Sequence, residues 1–162
     1  MAEAVGKCKA AQKNPVLALP HILRGKDSQK GRQLMENWRA AGADTFLVRS
    51  LEQLGLLKEL SRSAVIRVIT DANLYTWNTR AEQFLLKTTG TQKNLRIIRT
   101  TMPLELTAQE LAQTKNAVLP RELIVYTHLP LMVSEQCVKK TLGKCDGANG
   151  RMTMTGYRQQ YQ

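Results

Sequence analysis

The sequence predicts an α/β protein of about five parallel βα units, and three observations predict it. Five short runs, residues 15–22, 44–48, 65–69, 95–98 and 123–126, are rich in Val, Ile and Leu. Each is nearly continuous in apolar residues, the pattern of a strand buried on both faces. Amphipathic stretches with helix-capping signals lie between them. Strand then helix, repeated with roughly 20 to 30 residues between strands, is the signature of βα units with right-handed crossovers. Sequential strand order is expected, with the 15–22 strand at one edge. Such units build either an open doubly wound sheet or part of a barrel. A whole (β/α)8 barrel needs about 250 residues, and this chain has 162.

Between the first two runs, Asp27 or Ser28 is placed to cap a helix that continues to Ala40. Leu34, Met35 and Trp38 share its inner face, and Gly42 ends it. Ser50 precedes a second helix, with Leu51, Leu54 and the 57–60 segment as its apolar stripe. A third helix is expected over 76–87, with Trp77, Ala81, Phe84 and Leu85 facing inward and Gly90 closing it. Thr107 followed by Glu110 fits the capping box and opens a short fourth helix to about Gln113. Residues 139–162 have few apolar positions and no period, so they read as loop or disorder.

Lys and Arg number 24 against 13 Asp and Glu, a net charge of +11. Such a surplus attracts nucleic acid or acidic substrates, and weak, salt-sensitive RNA binding is expected from it. The basic residues are spread along the chain, however, and no aromatic-plus-basic RNA-binding signature accompanies them. No run of about 18 apolar residues exists, so no membrane span is predicted. Residues 1–14 form a basic leader without the apolar core of a secretory signal, and the protein is expected to be cytoplasmic. Three cysteines, an odd number, argue against a disulfide framework.

Phosphate-binding glycine loops, H-E-x-x-H and G-x-S-x-G are all absent from the sequence. His21 and His128 each end a predicted strand, the edge that carries the active site in a barrel. A strand-end histidine is more often a structural hydrogen-bonding residue. Asp71, with Asn73 and Asn78, follows the third run, where polar residues either bind ligand or cap the next helix. Glu105 is a lone carboxylate after the fourth run, and acid–base chemistry usually needs a partner. Cys137 and Cys145 are too far apart for a C-x2-C knuckle. Lys139, Lys140 and Lys144 nearby favour thiolate over thiol. A Cys137–His128 pair would lack an orienting third group.

The stretch 119–137, and within it Leu129-Pro130-Leu131-Met132-Val133-Ser134 followed by Cys137, resembles the signature of the collagenase-like peptidase family of unknown catalytic type, family U thirty-two. The segments 71–78 and 103–106 look like matching regions, so the resemblance spans about 15–145. It departs from the family pattern at His128, where many members have Gly, and after Cys145, where further cysteines are expected.

The resemblance implies a partial TIM-like (β/α) barrel over 15–145 with a divergent or disordered tail over 146–162. It implies a fragment of a peptidase-family protein, completed by the missing barrel portion or by a second copy of the chain. It transfers no catalytic residue, and Asp71, Asn78, Glu105 and His128 are the candidate substrate-binding residues by their places after the predicted strands. Relatives that hydroxylate RNA bases or ubiquinone precursors carry an iron–sulfur cluster on four cysteines. By resemblance, Cys137 and Cys145 would be its first two ligands, and an iron–sulfur hydroxylation component is the alternative function. A non-catalytic assembly module is the third reading.

Overall fold

The computed structural model describes residues 2–23, 26–90, 92–113 and 117–128. Helix α1 (Ala2–Ala10) precedes strand β1 (Val16–Ala18), α2 (Lys26–Ala40), β2 (Thr45–Val48), α3 (Leu51–Leu60) and β3 (Ile66–Thr70). A single 3-10 turn, Ala72–Leu74, leads to α4 (Thr79–Thr89), β4 (Leu95–Thr101), α5 (Ala108–Gln113) and β5 (Arg121–Glu122). The five strands form one sheet in the order β1-β2-β3-β4-β5. Every neighbouring pair is parallel. Parallel strands in sequential order, joined by crossovers of one hand, are the topology of part of a β/α barrel.

The register sorts side chains into two faces, because successive residues of a strand point to opposite sides. Leu17, Phe46, Val68 and Ile97 stand in one row across β1 to β4. Phe46, Val68 and Ile97, together with Leu19, Val48, Ile66 and Leu95, belong to the hydrophobic core, and half-buried Leu17 packs against it. Met35 and Trp38 of α2, Leu54 and Leu57 of α3, and Leu85 of α4 complete it. Burying each such side chain stabilises the fold by about 1.5–3 kcal/mol. The next row carries Val16, Thr45, Arg67 and Arg96. Both arginines of that row are exposed, so the sheet is apolar on its helix side and partly cationic on the other.

Local signals account for the helix ends. Ser50 caps α3, its hydroxyl accepting from the Gln53 N–H at 3.3 Å. Gly42 takes φ +88°, which a side-chain-bearing residue adopts only under strain, and turns the chain from α2 into β2. Thr107 and Glu110 form the reciprocal capping box: the Thr107 N–H donates to Glu110 Oε2 at 2.8 Å and the Glu110 N–H to Thr107 Oγ1 at 3.3 Å. The backbone and hydroxyl bonds from Thr107 hold the Glu110 carboxyl below its ordinary pKa.

Three expectations need correction. The first strand is shorter than 15–22, because Pro15 and Pro20 flank it and neither has an N–H to donate. The fifth pairing falls on Arg121–Glu122 rather than 123–126. β4 ends at Thr101 and Pro103 follows, which leaves 123–126 no ladder to join, and Val125 and Tyr126 stand 88% and 85% exposed. The third helix begins at Thr79, not 76. Asp71 caps the 3-10 turn, Tyr75 stops it at φ +50°, and Asn78 starts α4 afresh. That shift in phase turns Trp77 and Phe84 outward, keeps Leu85 buried as expected, and buries Glu82 and Thr89 beside it. The basic 1–14 stretch contains α1, whose Val5 joins the core.

Candidate functional site

The carboxyl ends of parallel strands and the loops that leave them share one edge of the sheet, and ligand sites of such folds are built there. Three of these ends converge through one side chain. Arg49, the residue after β2, donates from Nε to Asp71 Oδ2 at 2.7 Å. Its Nη1 donates to the Leu19 carbonyl at 3.0 Å and lies 3.2 Å from His21 Nδ1. His21 follows β1 and Asp71 follows β3, so Arg49 bridges the strand ends on either side of its own. The pair is largely sheltered, with side chains 20% and 14% exposed.

Each member is held by its neighbours. Asp71 Oδ1 accepts from the Ala72 N–H at 2.7 Å, and the Asp71 N–H donates to the Val48 carbonyl at 2.8 Å. Gln53, fully buried in the first turn of α3, accepts at Oε1 from the Arg49 N–H at 2.7 Å. Its Nε2 donates to the Pro20 carbonyl, which ties the loop bearing His21 to α3. Beneath the cluster, Thr70 Oγ1 donates to Thr100 Oγ1 at 2.9 Å, and the Thr76 hydroxyl lies 2.6 Å from Thr100 Oγ1. These three buried hydroxyls connect β3, β4 and the loop after β3.

A second buried ion pair stands beside this edge. Glu82 of α4 is fully buried and accepts from Arg121 Nε at 2.8 Å and from the Val118 N–H at 3.0 Å. It anchors the approach to β5 on α4. The arrangement is structural, since its oxygens are engaged by donors of the chain itself.

The sequence-derived residues fall into different places. Asp71 lies at the centre of the cluster. Asn78 is exposed and caps α4, its Oδ1 accepting from the Ala81 N–H at 3.0 Å. Glu105 is exposed in the turn after β4 and makes no ion pair among the described residues. His128 is exposed and is the last of the described residues 117–128. Cys137 and Cys145 lie outside the described residues, so the iron–sulfur ligand set falls outside them too. Cys8, the described cysteine, is free in α1, and no group of three or more His, Cys, Asp or Glu among the described residues is placed to hold a metal.

Arg49 and Gln53 are the residues of the candidate site that sequence reasoning missed. The available signal was position: Arg49 directly follows an apolar run and directly precedes the capping Ser50. The model of Peptidase family U32 matches residues 1–162 of this chain. The chain belongs to peptidase family U32. Comparison with curated proteins and comparison with solved structures each gave no match. For this U32 chain, no helix among the described residues is long and apolar enough to cross a membrane.

Proposed function

We propose that this chain is a piece of a collagenase-like peptidase-family protein, its five βα units forming one part of a larger barrel. Its substrate site is the carboxyl edge of the sheet, around His21, Arg49 and Asp71. The observation that carries this reading is the Arg49 cluster, which draws three successive strand ends together where barrel sites are built. A guanidinium oriented by a carboxylate is a fixed cation suited to polarising or holding a peptide carbonyl. Asn78 and Glu105, on the loops that leave the same edge after β3 and β4, are the further substrate contacts. The cytoplasm is the proposed compartment, in keeping with the odd, unpatterned cysteines.

Among the described residues no nucleophile, base and orienting group stand together as peptide hydrolysis requires. The chain alone is therefore expected to leave casein and gelatin essentially uncut, and robust turnover by the purified protein would overturn the fragment reading. Substrate recognition is tested separately, by fluorescence anisotropy of labelled gelatin-derived peptides. Arg49→Ala should weaken their binding about tenfold or more, the loss expected for a charge-assisted hydrogen bond. Equal binding by the variant would remove this edge as the substrate site. The iron–sulfur hydroxylation reading rests on Cys137 and Cys145, and no described side chain adds to it.

A further inference from the structure

Arginine carries N–H donors and no acceptor, so in the 3.2 Å contact between Arg49 Nη1 and His21 Nδ1 the imidazole nitrogen must accept. A neutral imidazole has one acceptor and one donor nitrogen. If Nδ1 accepts, the proton sits on Nε2. His21 is half-buried, and its Nε2 has no hydrogen-bond partner among the described residues. Among the described residues no buried side-chain nitrogen or oxygen lacks a partner, so Nε2 is not a buried orphan there. Arg49 itself has little freedom to leave. Asp71 holds Nε, the Leu19 carbonyl shares Nη1, and Gln53 clamps both the Arg49 backbone and the Pro20 carbonyl next to His21.

We infer that Arg49 is a positioning residue that fixes His21 in the tautomer protonated on Nε2, so that His21 meets its ligand as a hydrogen-bond donor to an acyl oxygen and not as a base. This rests on the reading of the carboxyl edge as the substrate site. It refines the substrate contact: a peptide carbonyl or carboxylate oxygen faces His21, and any general base lies elsewhere. The logic is that of a metal-free second partner setting which ring nitrogen carries the proton.

The chain has two histidines, which makes the test direct. Long-range proton–nitrogen correlation spectra of the full chain in mildly alkaline solution, where an imidazole is neutral, report the tautomer of each ring. A His128→Gln variant assigns the His21 signals. The expected result is a His21 ring with a pyridine-like Nδ1 and a protonated Nε2, reverting in Arg49→Gln toward the mixture of a free imidazole. Urea melts and circular dichroism on Arg49→Gln establish that it is folded. Should it fail to fold, Arg49→Lys, which keeps a donor but loses the fork, serves in its place.

N-acetylglycine, which offers acyl oxygens, should shift the His21 Nε2 resonance saturably, whereas methylguanidinium, which offers only donors, should not. A His21 ring protonated on Nδ1, or a mixture unchanged by Arg49→Gln, overturns the inference, as does a ring that answers the two probes alike. Peptide binding that depends on Arg49 while His21 ignores N-acetylglycine would leave the substrate edge standing and this role for His21 refuted.

Discussion

Two arginine–aspartate pairs join neighbouring strands of this sheet, one at each end. At the carboxyl end, Arg49 and Asp71 are sheltered, and the guanidinium also reaches the Leu19 carbonyl and His21. At the amino end, Arg67 of β3 meets Asp44 with Nε and Nη2 on the two carboxylate oxygens, Nη2 at 2.8 Å from Oδ2. That pair is the better fork, yet its side chains are 46% and 36% exposed. Water and salt screen it, and an exposed pair contributes about 0–1 kcal/mol. The carboxyl-end pair has the poorer fork and the richer surroundings. What separates a candidate site from a surface clasp here is burial and the number of groups depending on one guanidinium, not the geometry of the ion pair.

Removing one partner of each pair sharpens that contrast, and a third pair extends it. Glu82 is fully buried with Arg121 14% exposed, so Arg121→Ala strands a carboxylate inside the protein. It should cost about 3–5 kcal/mol, the loss expected when a buried pair is broken. Arg49→Ala should come next, at about 2–3 kcal/mol, since Asp71 keeps the Ala72 N–H and some water. Arg67→Ala should cost less than about 1 kcal/mol. Urea denaturation midpoints at one salt concentration rank all three. A loss for Arg67→Ala as large as that for Arg49→Ala would break the comparison.

The smallest expected effect is on pH dependence. Burial by itself raises the Asp44 carboxyl, but hydrogen bonds from Arg67 and Thr45 and the guanidinium charge outweigh it and hold the carboxyl below its ordinary pKa. A depressed carboxyl stabilises the fold above its unfolded pKa, near 3.9. That contribution is lost as pH falls through the folded value. The stability gap between the native chain and Arg67→Ala should therefore be constant near neutrality and close below about pH 4. Added salt should shrink the same gap at neutral pH while leaving the Arg49→Ala gap nearly unchanged. Melts across pH and salt check both, and a gap that widens in acid would reverse the sign argued for Asp44.

The parallel α/β architecture was legible because its signals act over a few residues. Apolar runs mark strands that bury both faces, and Ser50, Asn78 and the Thr107–Glu110 box are hydrogen-bonding caps that work within one helical turn. Strand limits were legible only in part. The 123–126 run has strand composition, but whether it pairs depends on where β4 ends, a matter for a different part of the chain. The phase of α4 depended likewise on the Tyr75 turn at φ +50°, which a run of Trp and Phe at helical spacing does not reveal.

The candidate site divides the same way. The sequence by itself pointed to Asp71, because a carboxylate after an apolar run sits at the carboxyl end of a strand. It determined nothing about Arg49, His21 and Asp71 as a unit, for they are 22 and 28 residues from Arg49 along the chain. Glu82 and Arg121 meet across 39 residues. Only the register of parallel strands brings such groups within hydrogen-bond reach, and that register is decided by the packing of Phe46, Val68 and Ile97 beneath the helices. Local hydrogen bonds and periodicity are written into neighbouring residues, whereas the meeting of distant charges waits on the core that aligns them.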